Sequence, residues 1–152
     1  MNIKNEFSIS RGADEVWALL TDIAQVAPCF PGASLTSVDD DNTYAGTVKV
    51  KLGPVAVNFI GQMRLVERDD HNNVARATAT ASDKRGLGGM QAEIEFRLEA
   101  QTNKSVVTID TDIVLTGKVA QYGRGAGMIQ RIANKNVETF ASNLQALLGE
   151  AS

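Results

Sequence analysis

The chain has 152 residues, of which 43% are hydrophobic and 22% charged, a composition typical of one soluble domain with a single hydrophobic core. Its 15 basic and 18 acidic side chains give a formal charge of −3, which excludes a surface basic enough to wrap nucleic acid and predicts none that would hold an anionic membrane by charge alone. The single cysteine excludes an internal disulfide and favours a reducing compartment.

The N-terminal segment predicts a strand, a short helix and a sharp turn. Apolar and polar residues alternate from residue 3 to residue 9, which favours a strand. Residues 13–20 place two acids ahead of four large apolar side chains, the pattern of a helix start followed by a buried face. Two prolines and a glycine within residues 28–32 must end any helix there.

From residue 34 to residue 116 the hydrophobic period changes to two. Runs with one apolar and one polar face cover residues 44–52, 55–65, 74–81, 92–98 and 107–115. This alternation is typical of an antiparallel sheet with one face in water. Turn-forming residues separate the runs at 39–42, 53–54, 69–73, 86–89 and 101–104, so we expect a meander.

The last element is a long amphipathic helix, predicted from Ala126 to Leu148. Its apolar residues follow the 3.6-residue period: Ile129, Ile132, Ala133, Val137, Phe140, Leu144, Leu147 and Leu148. The helix would be roughly 35 Å long, about the span of a ten-residue strand, so it can cover the apolar side of the sheet. We therefore expect an α+β fold, a curved antiparallel sheet wrapped around this helix, in one domain spanning residues 1–152.

One predicted strand has an unusual apolar face. Residues 74–81 would direct Ala75, Ala77, Ala79 and Ala81 to the core, where the other strands carry larger side chains. Because protein cores do not keep large voids without cost, something must fill the missing volume. Large side chains of the helix, such as Met128 and Ile132, are one interpretation. A bound apolar ligand is the other, since apolar pockets are the usual small-molecule sites.

Few residues could carry chemistry. His71 lies among Asp and Asn residues between two strands, where we expect a solvated turn, and Cys29 has no sequence neighbour that would activate its thiol. The glycine-rich residues 123–127 lack the preceding strand and the Lys-Ser/Thr pair of a phosphate-binding loop. The residues therefore predict no catalytic set, no metal site and no cofactor.

Four stretches carry a resemblance to a known family. They are residues 16–20 (Val-Trp-Ala-Leu-Leu), residues 27–33 (Ala-Pro-Cys-Phe-Pro-Gly-Ala), residues 44–55, and residues 115–125 with Gly-Lys-Val-Ala-Gln-Tyr-Gly-Arg. With the order of the elements, the chain resembles the START/Bet v 1 "helix-grip" superfamily. Within that superfamily it is similar to the family named for the G subunit of carbon monoxide dehydrogenase, from about Phe7 to Leu148.

The resemblance implies a non-enzymatic accessory protein of a molybdenum-containing hydroxylase of the carbon monoxide dehydrogenase type, acting in maturation of that enzyme or its membrane and quinone coupling. It also implies a hydrophobic cavity for a lipid or quinone. The expected place is the cytoplasm, with peripheral contact at the inner face of the membrane. Two alternatives stay open: a polyketide cyclase- or hydrolase-like enzyme, for which Tyr122 is the candidate to test, and a filled-core protein-interaction module.

The expected cavity lies between the sheet and the long helix. It would have Ala77 and Ala79 as its floor, large apolar residues as its walls, two helix residues as its lid, and Trp17 and Phe30 at its far side. The walls are Phe59, Met63, Phe96 and Ile113, and the lid is Met128 and Ile132. We expect its opening beside Tyr122, at the glycine-rich start of the helix, where the phenol could meet a ligand carbonyl.

Overall fold

The structure, a computed structural model, describes residues 1–39, 42–125 and 127–149. Within these residues there are seven strands: β1 (Asn2–Ile9), β2 (Ala33–Val38), β3 (Thr43–Leu52), β4 (Val55–Asp69), β5 (Val74–Asp83), β6 (Gly89–Gln101) and β7 (Lys104–Leu115). The helices are α1 (Ala13–Leu20), α2 (Ile23–Val26), a 3-10 turn (Ala27–Cys29), α3 (Gly117–Tyr122) and α4 (Met128–Leu148). The expected curved antiparallel sheet and long C-terminal helix are confirmed.

The strands form one sheet in the order β1-β7-β6-β5-β4-β3-β2, with every neighbouring pair antiparallel. Strands β2 to β7 form the expected meander, and β1 joins the far edge beside β7. Register shifts between Leu35 and Ser37 and between Leu65 and Glu67 are β-bulges, which bend a strand and increase its twist. Ala126, the predicted first residue of the long helix, and Asp40 and Asp41 of the predicted 39–42 turn lie outside the described residues.

A large core fills the end of the molecule that carries α1 and α2. Its fully buried members include Ile9, Val16, Val107 and Leu144, which come from β1, α1, β7 and α4. The C-terminal half of α4 is also fixed by hydrogen bonds. The Asn143 side chain donates to the Cys29 carbonyl at 2.8 Å, and the Ser10 N–H donates to the Gln145 Oε1 atom at 2.8 Å.

A small core lies at the opposite end of the concave face. Leu52, Val57, Phe59 and Val119 are its buried members, from β3, β4 and α3. Close backbone approach fixes the loops around it, because a Cβ atom on Gly88 would lie 2.0 Å from the Thr116 carbonyl oxygen. Gly88 also has a φ of +128°, which side chains rarely adopt, so only glycine fits there.

A buried carboxylate organises the loop between β5 and β6. Asp83 accepts backbone N–H bonds from Asn58 at 3.0 Å, Arg85 at 2.8 Å and Leu87 at 3.2 Å. Burial raises the pKa of this carboxyl group, but the three N–H donors and the Arg85 charge together outweigh burial and hold the pKa below its ordinary value of 3.8. The native state therefore favours the ionised form.

We expect Asp83 to stabilise the protein at neutral pH and to lose that contribution in acid. Because the folded-state pKa is below the unfolded-state value, the contribution is complete above pH 3.8 and disappears as the pH falls through the folded pKa. Asp83→Asn should lower the urea midpoint at neutral pH and reduce the acid dependence of unfolding. An unchanged acid dependence in this variant would contradict the assignment.

Candidate ligand-binding cleft

Half-buried apolar side chains form a band across the concave face, between the large and small cores. Among the described residues, Val48, Ala79, Ile94 and Ile113 of the sheet and Ala133 and Val137 of α4 are partly exposed and belong to neither core. We call these six residues the apolar band. Their partial exposure, on a face that α4 covers, indicates that solvent reaches a cleft between helix and sheet.

The helix α4 lies over one edge of the sheet rather than over its middle. The helix approaches β1 and the 3-10 turn more closely than it approaches the central strands. Side-chain hydrogen bonds fix it over β1, where Asn5 donates to the Asn134 Oδ1 atom at 2.8 Å and Gln130 donates to the Lys4 carbonyl at 3.2 Å. Only Leu144 of the whole helix is fully buried.

The alanine face of β5 is divided between packed core and cleft. Ala75 and Ala77 are 0% and 2% exposed, and both lie in the large core with Trp17 and Leu65. Ala79 is partly exposed and lies opposite Met63 on β4 and Ala92 on β6. Protein side chains therefore cover the first two alanines, whereas the third lies in the apolar band.

Trp17, Phe96 and Phe30 lie at the large-core side of the cleft. The Trp17 indole N–H donates to the Asp70 Oδ1 atom at 2.8 Å, and its ring contacts Phe96 with centroids 6.1 Å apart. Phe30 contacts Phe140 of α4 with centroids 6.2 Å apart. Trp17 is therefore a core residue with its polar group satisfied, while Phe30 and Phe96 are half-buried at the margin.

Phe59, Tyr122 and Ile132 meet at the other side of the cleft. Phe59 is a buried member of the small core, and the half-buried Tyr122 and Ile132 pack against that core. Met63, Ala79 and Ile113 thus lie together in the middle of the concave face. Phe59, Tyr122 and Ile132 lie beyond them, at the small core. Ala77 and Trp17 lie in the large core and not in the cleft.

A groove opens beside the start of α4. Its volume is about 590 Å³, and it is lined by Ile3, Ile113, Leu115, Gly123, Arg124 and Met128 among others. Met128 is therefore at this opening rather than above Ala79. Gly123 is closely packed on its inner side, because a Cβ there would lie 3.0 Å from the Ile129 Cδ1 atom and 3.1 Å from the Leu115 Cδ1 atom.

Titratable groups are scarce around the cleft. Within the described ranges, the polar side chains that the strand pairing places on the concave face are Asn5, Tyr44, Arg68, Asp83, Ser105 and Thr111, and α3 adds Tyr122. No group of three His, Cys, Asp or Glu residues in the described part of the chain has a metal-binding arrangement. His71 is exposed in the β4–β5 turn, and burial raises the pKa of the Cys29 thiol.

Sequence reasoning missed Tyr44, Val48 and Ile94. Alternation places all three on the apolar face of their strands, so the signal for their orientation is present in the sequence. Their neighbours depend on strand register, in which Tyr44 lies opposite Met63, Val48 opposite Phe59 and Ile94 opposite Ala77. Alternation within one strand does not give that register.

Comparison with known families identifies this architecture. The profile of the family described as the G subunit of carbon monoxide dehydrogenase (CoxG) matches residues 6–149, nearly the whole chain. The chain belongs to the CoxG family. A search of curated proteins gave no match.

Solved structures similar to this CoxG-family chain share its fold. A conserved protein from Geobacillus kaustophilus has a TM-score of 0.82 at 19% identity, covering 97% of this chain and 95% of that one. The Zhui aromatase/cyclase from Streptomyces sp. R1128 has a TM-score of 0.65 at 12% identity, covering 97% and 92%. A START superfamily protein from Mycobacterium smegmatis has a TM-score of 0.61 at 14% identity, covering 96% and 95%. These likenesses confirm the helix-grip fold, and at such identities they show the fold alone.

Within residues 1–39, 42–125 and 127–149, none of the helices is both long enough and apolar enough to cross a bilayer.

Proposed function

We propose that this CoxG-family protein binds a hydrophobic molecule, a lipid or a quinone, in the cleft between sheet and α4. The apolar band supports the proposal, because four partly exposed apolar residues of the sheet and two of α4 belong to neither core. Each CH₂ group buried there would contribute about 0.8 kcal/mol, so a prenyl or acyl tail can bind without an ionic contact. Uptake should accordingly depend little on salt.

The biological role that we propose follows from family membership. The protein would be a non-catalytic accessory protein of a molybdenum-containing hydroxylase of the carbon monoxide dehydrogenase type, acting in its maturation or its membrane and quinone coupling. The family description, which names carbon monoxide dehydrogenase, supports the choice of partner. Peripheral contact of a cytoplasmic protein with the membrane would accompany either role.

Native mass spectrometry of the protein purified from cell extract tests the binding proposal. We expect an adduct whose mass matches a lipid or an isoprenoid quinone and which organic extraction removes. A filled-core interaction module would show only the apoprotein mass, even after incubation with excess quinone or lipid. That result would contradict the proposal.

The enzymatic alternative is tested at the two phenols beside the cleft. Tyr44 packs against the large core and Tyr122 against the small core, so both are candidate acid–base groups. We expect Tyr44→Phe and Tyr122→Phe to keep ligand uptake within about tenfold of wild type, since one hydrogen bond contributes about 0.5–1.5 kcal/mol. Turnover of a polyketide-like substrate that Tyr122→Phe abolishes would replace the binding proposal with a cyclase.

A further inference from the structure

Three loops meet where α4 begins. The β3–β4 turn contains Gly53, and a Cβ on that glycine would lie 3.6 Å from the Met128 Cε atom. The Val119 N–H of α3 donates to the Leu87 carbonyl of the β5–β6 loop at 2.9 Å. We call the surface formed by residues 51–54, 84–88 and 116–125 the mouth surface, because the groove of about 590 Å³ opens beside it.

The mouth surface is positively charged in a protein of net negative charge. Lys51, Lys84, Arg85, Lys118 and Arg124 are all exposed there. Residues 84–92 and 113–127 contain no acidic residue, although the whole chain carries −3. The neighbouring Asp83 is buried and already bonded to the N–H groups of its loop. Asp83 lies 4.0 Å from the Arg85 Nε atom and offsets that cation, and no acid in these segments offsets the other four.

Six acidic residues lie at the opposite end of the molecule. Asp14, Glu15, Asp22, Asp39, Asp69 and Asp70 are found around α1 and the β2–β3 and β4–β5 turns. Two of the cations nearby are engaged, since Arg11 pairs with Glu15 and Arg68 with Asp70. Charge is thus segregated along the molecule, and an anionic surface would attract the mouth end and repel the other.

Apolar groups accompany the cations at the mouth. Val114 is 57% exposed beside the groove, and the groove reaches Ile113, a member of the apolar band. In an anionic bilayer, the lipid phosphates can pair with the cations of the mouth surface and the hydrocarbon can contact the apolar groove. An acidic protein surface would match only the charge. The bilayer is therefore the partner that matches both the cations and the apolar groove.

We propose that the mouth surface docks on bilayers that contain anionic phospholipids, so that the groove beside Arg124 faces the lipid. This proposal rests on the proposed function in one respect, because the docked groove is the path by which a lipid or quinone would enter the cleft. The attraction is electrostatic and falls with salt, whereas binding inside the cleft does not.

Vesicle co-sedimentation tests the docking. Wild type should bind vesicles of phosphatidylcholine with phosphatidylglycerol at low salt, and should bind pure phosphatidylcholine vesicles or high-salt samples much less. The triple variant Lys84→Glu, Lys118→Glu, Arg124→Glu should lower the partition coefficient by about tenfold or more, since each basic residue near an anionic surface contributes about 1 kcal/mol, or roughly fivefold. Arg85 is left unchanged, because its side chain bonds to the Ala56 carbonyl.

A second triple variant supplies the matched control. Arg64→Glu, Lys104→Glu, Lys135→Glu makes the same change in net charge at exposed positions away from the mouth, and it should keep most of the vesicle binding. Equal loss in both triples, or undiminished binding by the mouth triple, would overturn the docking surface. If the wild-type protein does not bind these vesicles, the docking proposal is also wrong, even if the same cations bind an acidic protein instead. Quinone or lipid uptake from solution is measured on the same samples, so the cleft proposal is judged separately.

Discussion

Ala79→Phe should abolish most uptake of lipid or quinone while leaving the fold intact. Ala79 is a partly exposed member of the apolar band, and its neighbours across the strands are Met63 and Ala92. A phenyl ring there would occupy the space that the proposed ligand fills. Excluding only two CH₂ groups of the ligand costs about 1.6 kcal/mol, so the dissociation constant should rise by more than about tenfold.

The stability of this variant tests the same idea independently. Adding a ring to a well-packed core typically costs about 1–3 kcal/mol, whereas a ring added to an open cleft costs much less. We therefore expect the apoprotein of Ala79→Phe to unfold close to the wild-type urea midpoint. If the phenyl variant does not fold, Ala79→Leu makes the same test with a smaller side chain.

Thr78→Phe is the control for Ala79→Phe. Thr78 is the preceding residue of β5, so its side chain lies on the other face of the sheet, where it is exposed opposite Arg64 and Glu93. The Thr78→Phe variant adds the same ring to the same strand outside the cleft, so uptake of lipid or quinone should remain at the wild-type level. Wild-type uptake by Ala79→Phe would show that the ligand lies elsewhere, and equal loss in both variants would show a general effect on β5.

The sheet and the long helix could be predicted from periodicity alone. The runs of period two correspond to β3 to β7, and the 3.6-residue run corresponds to α4. The position of β1 beside β7 could not be predicted, because alternation within β1 says nothing about which strand pairs with it. Long-range pairing of this kind depends on the whole sheet.

The candidate site was predicted less completely, and the alanine face of β5 shows why. All four alanines look alike in the sequence, yet Trp17 and its core neighbours cover Ala75 and Ala77 and leave Ala79 open. That difference depends on a helix about sixty residues earlier in the chain, whose position no local pattern gives. Gly123 is a second example. The backbone freedom of glycine predicted a flexible opening at this residue, whereas in the structure the side chains of Leu115 and Ile129 enclose its inner side.

The two ends of α4 should respond differently to loss of an apolar side chain. Leu144 is 0% exposed in the large core, so Leu144→Ala should lower the free energy of unfolding by about 2–5 kcal/mol, the range for buried leucines.

Ile132→Ala removes the same number of carbon atoms from a half-buried position at the edge of the cleft. It should cost less than half as much, because part of that side chain faces open space rather than packed neighbours. Urea unfolding of both variants, without and with added lipid or quinone, measures the difference. Ligand should stabilise Ile132→Ala less than wild type, because one wall of its site is missing, whereas Leu144→Ala should keep the full ligand-dependent gain in stability. Equal losses in the two apoproteins would show that α4 is packed uniformly along its length and that the cleft is closed.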